Sequence, residues 1–469
     1  MRKIIVLASL AILLLVPFSA CSANLYELNL DYALAHANQR RDDVIRPSEE
    51  YVTALFDARP ARETSDLRDL MTEIPPTFII DTEYAIYDTM SLFELLRNVY
   101  GAYFYFGGDE IFLPMRDNII AELNTRDSWT HSNLGDLFFN NLSTVIADNH
   151  FTIAGRRVGA FASFFALGEP FARSDNGFRH IESGLYVAEV VGHDLDEVFR
   201  LAIDETGAFY YTMVIAIPRL AWRYEVTIIF ENGNEVTKSA QLTPSRWVWH
   251  EPPSLRWEGD IPVVVLRSMG NPYGNNTDDI YNSADANTFI SFAYELADEP
   301  VIIVDIRSNM GGSPLVAPQW LYRILGEVIP SHFRVVDVGD AIVTDDWLEI
   351  WSIPEETYRY FSFPNSEPIE NDQLIILLTD RHAGSAGDKF TNKMLCIENT
   401  LIVGQNTAGV LITNSFGQSM YLPNSGIPFA FGPGLFLYPD HFAEGFGIAP
   451  DIWVTGCALT ATLAMLQSY

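Results

Sequence analysis

Two short segments carry residue types that could do covalent chemistry. The first is Asp305-Ile-Arg-Ser-Asn-Met-Gly-Gly-Ser, directly after the apolar run 301–304. Its paired Gly311 and Gly312 let the backbone approach a ligand closely and turn N–H groups toward it. Donors so placed stabilise charge that develops on a carbonyl oxygen. A plain tight turn uses the same residues. The second segment is Thr379-Asp-Arg-His-Ala-Gly-Ser-Ala-Gly-Asp, between an apolar run and a helical one. Ser385 has only Gly384, Ala386 and Gly387 around it, which leaves its hydroxyl reachable at a helix start. Two readings of Ser385 stand side by side. It is a helix N-cap, or a nucleophile whose neighbouring amides stabilise an anion.

The elements that must position these loops read as an α/β core. From about residue 258, apolar runs at 261–266, 301–305, 374–378 and 401–404 alternate with helical stretches at 287–296, 320–327 and 386–395. Continuous apolar strands between helices imply a mostly parallel sheet covered on both faces. In such a sheet function collects at the carboxyl ends of strands, where both loops lie. Upstream, residues 151–257 are rich in β-forming runs, such as 185–191, 209–217 and 224–230, with a turn at Glu231-Asn-Gly-Asn. They read as a β-rich insert domain, and Trp247, Trp249 and Trp257 as either a packed junction or a ligand platform. Residues 81–150 read as helical, from Leu92, Leu95, Leu96, Val99 and Tyr103, and from Leu134, Leu137, Phe138, Leu142 and Val145. Residues 21–80 read as a tether and linker with a short helix near 63–72.

Composition narrows the partners. There are 29 Lys+Arg against 61 Asp+Glu, a formal net charge of −32. Phosphate binding needs a basic surface, so nucleic acid is not an expected partner. Arg2 and Lys3, an apolar run 4–16 and small residues before Cys21 form a secretory signal over residues 1–20. Phe18-Ser19-Ala20-Cys21 resembles a bacterial lipobox, with Cys21 as the lipidated residue. The expected location is therefore exported and lipid-anchored, at the bacterial cell surface or the periplasmic face of the envelope. A lipid would be the membrane attachment. Cys396 and Cys457 are too few for a disulfide framework; they pair, or stay as buried thiols. No HExxH pair or Cys/His cluster supports a metal site, and no cofactor is expected.

The order of four motifs carries a resemblance. The chain has DIRSNMGG, then SAGD, then Gly404-Gln-Asn-Thr-Ala-Gly, then Glu444-Gly-Phe-Gly-Ile-Ala-Pro-Asp. This resembles the S41 peptidases, the tail-specific or C-terminal processing proteases, relatives of the tricorn core and the interphotoreceptor retinoid-binding protein. The upstream Asp148-Asn-His-Phe-Thr is similar to the family's D-G-H-T segment. The resemblance implies a ClpP/crotonase-like α/β core over 258–469. It implies Ser385 as nucleophile, with the N–H of Ala386 and of Gly311 or Gly312 as the oxyanion hole. The general-base lysine of many members falls at Val410, so the Ser–Lys dyad is absent. The lysine-free, tricorn-like pattern puts His150 in the place of the base and Glu444 in that of a supporting carboxylate, with His382 as the rival base. The insert stands where many members carry a PDZ module, but no carboxylate-binding loop of that type is evident, so it reads as diverged. The implied function is an exported serine endopeptidase acting on protein or peptide substrates through an acyl-enzyme. Its activity should rise with pH through an ionisation near ordinary histidine values. The alternative is a non-catalytic peptide- or ligand-binding protein on the same scaffold.

Overall fold

The structure is a computed structural model that describes residues 25–42, 65–67, 69–218, 222–243, 247, 251–270, 284–329, 334–338, 341–342, 368–415, 419–438 and 442–468. The signal segment with Cys21 and also Trp249 lie outside the described residues. The architecture is mixed α/β around one sheet of 14 strands. Its parallel half runs Ile261–Val265, Val301–Asp305, Leu374–Thr379, Thr400–Gly404, Ile452–Trp453. These strands are short, β-branched and buried on both faces, as the absence of polar alternation predicts. Val263, Ile303, Ile376, Leu378, Leu401 and Val403 point into one apolar cluster. Val264, Ile302, Val304, Ile375, Leu377 and Ile402 point into the opposite one. Helices Ala284–Leu296, Val316–Leu325 and Ala386–Met394 cover that second face with Phe289, Trp320 and Phe390.

The β-rich segment does not form a sheet of its own. Phe199–Ile203 pairs parallel with the core at Ala202↔Trp453. Phe209–Ile217, Ser163–Ala166, Glu235–Leu242, Arg223–Phe230 and Val187–Val190 then extend the same sheet antiparallel. Trp257 lies on the edge strand Ser254–Glu258 and is exposed, so it packs no junction.

Two upstream features differ from the sequence reading. Residues 30–42, read as tether, form a helix docked on the core. Its hydrophobic periodicity is weak, but Leu30, Ala33 and Ala37 are buried in the core cluster, and Arg41 Nη2 adds bonds to Thr400 O at 2.7 Å and Asp451 Oδ2 at 3.2 Å. In place of a helix near 63–72 there is a 3₁₀ turn, Asp69–Met71, among the described residues. Helices Thr82–Val99, Gly108–Leu123 and His131–Leu142 pack with segment 420–437 into a further apolar cluster. Both described cysteines are free thiols, Cys396 buried and Cys457 exposed.

Candidate active site

The two glycine- and serine-bearing loops leave neighbouring parallel strands, with Asp305 in register with Leu378. They meet: Gly384 N donates to Asn309 O at 2.9 Å. The first loop is braced from below by Asp305, which is fully buried. Arg267 bonds it at 2.9 Å and Arg307 at 2.6 Å. These cations overcome burial and hold the Asp305 carboxyl far below the ordinary carboxylate range. Asp305 and Arg307 are thus a structural brace. The Gly311 N–H is committed to Asn309 Oδ1 at 2.9 Å. Of the glycine pair, the unengaged N–H among the described residues is therefore that of Gly312. Gly311 serves by its missing side chain. A Cβ there would lie 2.7 Å from Gly384 O and 2.8 Å from Ala386 N, at a φ of +103°.

Ser385 sits at the entry of the Ala386–Met394 helix with φ 55° and ψ −110°. That is a sparsely populated conformation for a residue with a Cβ, and such strain collects at functional sites. Asp388 fixes it. Asp388 Oδ2 accepts from Ser385 N at 2.8 Å and from Val410 N at 2.9 Å, and Oδ1 accepts from Gly409 N at 3.1 Å. Burial pushes the Asp388 carboxyl up to about 6, against the pull of these donors. Sequence reasoning passed over this residue, although the Ser-x-x-Asp spacing signals a carboxylate folding back on a helix start. Val410 lies beside Gly384: its Cγ2 would be 3.4 Å from a Cβ there.

His150 arrives from a separate segment, 235 positions before Ser385. Its Nε2 is 3.1 Å from Ser385 Oγ. The loop that carries it is held by Asp148, which is buried and accepts from His150 N at 2.8 Å, Tyr100 Oη at 2.9 Å and Thr413 Oγ1 at 2.8 Å. Phe151, next along, packs into Tyr100 and Phe431 with ring centroids 5.3 and 5.5 Å away. The other ring nitrogen of His150, Nδ1, is buried without a hydrogen bond of good geometry. The Thr413 main chain is close enough to favour a proton there. That tautomer leaves the Nε2 lone pair facing the serine. Desolvation, then the charges of Lys389 and Arg157, push the imidazole down to about 3. This corrects the expectation of an ionisation near 6.5: the ring is neutral well into the acid range.

Glu444 does not touch the imidazole in the way a triad carboxylate would. Its Oε1 accepts from Asn149 N at 2.8 Å, and Oε2 accepts from Leu411 N at 2.8 Å and Ile412 N at 2.9 Å. It clamps the backbone of the His150 loop to that of the 411–412 segment. Burial and the charge of Asp148 push its carboxyl up to about 8. His382 turns away, its ring 4.9 Å from that of the half-exposed Trp247 in an edge-on contact. Asp148 and Asn149 stood in a recognised motif, whereas Tyr100 and Thr413 gave no signal because their roles exist only in the fold.

Residues 261–454 match the family model for Peptidase family S41. The core belongs to peptidase family S41. It is a serine-type peptidase core. No curated protein sequence matches the chain. Among solved structures, mature CPAF is 16% identical with a TM-score of 0.39, covering 83% of this chain and 95% of its own. A lipoprotein from Streptococcus agalactiae is 13% identical, TM-score 0.39, covering 85% and 98%. A photosystem II D1 C-terminal processing protease is 12% identical, TM-score 0.36, covering 82% and 96%.

Proposed function

We propose that the protein is an exported serine endopeptidase that forms an acyl-enzyme on Ser385, with His150 as the base. The observation that carries this reading is the 3.1 Å approach of His150 Nε2 to Ser385 Oγ. A serine hydroxyl is a weak nucleophile until an adjacent base takes its proton. Oγ attacks the peptide carbonyl while Nε2 accepts its proton. The oxyanion meets the N–H groups of Gly312 and Ala386. The imidazolium then protonates the leaving amine, the C–N bond breaks, and water reverses the steps to release the acid. Glu444 acts through the backbone: it keeps the 149 and 411–412 segments in place around the imidazole.

The test is covalent labelling with a fluorophosphonate followed by peptide mapping, beside hydrolysis of an unstructured protein. Label on Ser385 and hydrolysis, both lost in Ser385→Ala, support the reading. One observation favours the binding-protein alternative: the low basicity of His150, which burial and the neighbouring cations impose. Label without turnover on any peptide would select it. Export and the lipid on Cys21 are part of the proposal and rest on the sequence of residues 1–21. Cys21→Ser should release the folded protein from the membrane fraction of a bacterial host; a variant that stays membrane-bound would contradict the lipid anchor.

A further inference from the structure

A cavity of about 650 Å³, lined by neither Ser385 nor His150, opens between the docked helix, the segment 443–451 and the strands that extend the core sheet. Its walls are mostly apolar, with Phe164, Val214 and Phe446 among them. That size and that lining are those of a small-molecule site. Arg40, Arg41 and Arg200 line the same space. Strand alternation turns Arg200 to the side of Ala202, Phe164 and Val214, whereas its neighbours Phe199 and Leu201 pack into the opposite cluster. Arg40 and Arg41 are engaged, since both bind Asp451, at 3.1 and 3.2 Å. Arg200 is half-buried and makes no hydrogen bond or ion pair among the described residues.

The acidic groups of the cavity leave Arg200 without an acceptor. Asp451 is buried, and its carboxylate is shared between the other two arginines. Asp196 and Glu197 are exposed, and Asp196 is paired with Arg173 at 3.4 Å. Burial, then the charge of Arg40, push the Arg200 guanidinium down to about 10, and Glu197 offsets them only in part. The remaining titratable group, His193, shares a hydrogen bond between its Nε2 and Tyr224 Oη at 2.9 Å. A guanidinium withdrawn from water with its N–H donors unmet is costly. An anion supplies the acceptors and gains charge-assisted, bidentate hydrogen bonds. We propose that this cavity binds an organic anion, a carboxylate or phosphate head on an apolar body. The head lies on Arg200, and the body lies against Phe164, Val214 and Phe446. The site needs the fold alone and does not depend on the peptidase reading. Its recognition is local, since the molecule as a whole, at −32, repels anions.

The experiment is isothermal titration calorimetry on the full chain with octanoate, octyl phosphate, octan-1-ol and inorganic phosphate. Wild type should bind one of the two octyl anions about tenfold or more tightly than octan-1-ol. The tighter of the two assigns the head as carboxylate or phosphate. Inorganic phosphate, which lacks the apolar body, should bind more weakly than octyl phosphate. Arg200→Gln should bring the octyl anions and the alcohol to similar affinity, and Arg200→Lys should keep part of the preference. Arg200 has no partner to lose, so Arg200→Gln should melt no lower than wild type, which separates lost binding from lost fold. Ala216→Trp fills the cavity from its wall and should abolish binding of both octyl anions. Equal affinity for the anions and the alcohol would overturn the site. So would inorganic phosphate binding as tightly as octyl phosphate, or an anion preference that survives Arg200→Gln. A lower melting temperature of Arg200→Gln would show that the arginine serves the fold, and would overturn the proposal as well.

Discussion

Ser385 and His150 come from segments 235 residues apart, and their 3.1 Å contact makes them one unit. Residues that act as a unit lose activity without additivity. Ser385→Ala and His150→Ala should each lower kcat/KM by roughly a thousandfold or more, and the double variant should be little worse. Steady-state kinetics on one peptide checks this; additive losses would separate the two residues. The pH profile is a second expectation at this scale. kcat/KM reports the unliganded enzyme, in which the ring is pushed down to about 3. The profile should therefore show no inflection from His150 near 6.5, and its acid limb should lie well below that. A limb at 6.5 would mean that the imidazole is solvated and free of the Lys389 and Arg157 charges.

The next scale is that of the loops and the helix they serve. Gly311 lets the first loop lie against the Ser385 turn, and no side chain fits that approach. Gly311→Ala should cost activity by pushing the loop off Ala386 N, with the melting temperature also lowered; unchanged kinetics would mean that the loop does not face the reacting carbonyl. Asp388 ties the Ser385 turn to Gly409 and Val410 with three main-chain bonds. Asp388→Asn places an amide among N–H donors and should destabilise by a few kcal/mol, measurable by denaturant unfolding. These loops were legible in the sequence because glycine and serine requirements are local. The division of labour inside the glycine pair was not, since the Asn309 side chain that takes the Gly311 N–H is positioned only by the folded loop. The role of Glu444 was half legible. Its motif marked it as important, but its three backbone donors come from two distant segments.

For the molecule as a whole, the α/β core could be read from apolar runs, whereas the docked helix 30–42 could not. It buries only Leu30, Ala33 and Ala37, and its ionic contact from Arg41 to Asp451, more than 400 positions away, leaves no periodicity. Arg41→Met should destabilise by about 1–3 kcal/mol, because buried Asp451 loses one of its two arginine partners and keeps Arg40; a stability change near zero would mean that the helix is not docked. The insert misled in another way. Its strand pattern was plain, but strand periodicity does not say which sheet a strand joins, and the core sheet runs straight into it. Burial of Glu444 also has a global consequence. Its carboxyl ionises near 4.5 in the unfolded chain and near 8 in the fold. The folded state therefore holds a proton that the unfolded state has lost between those values, and stability from this group falls as pH rises through that window. Glu444→Gln should flatten the melting-temperature profile between pH 4.5 and 8 relative to wild type; identical profiles would place the carboxyl in solvent. The central claim, that His150 activates Ser385, is tested most directly by the rate of fluorophosphonate labelling at Ser385 in wild type and in His150→Ala, followed by mass spectrometry. The account predicts rapid labelling confined to Ser385 and nearly abolished in the variant. Equal labelling of the two proteins, or label on another residue, would contradict it.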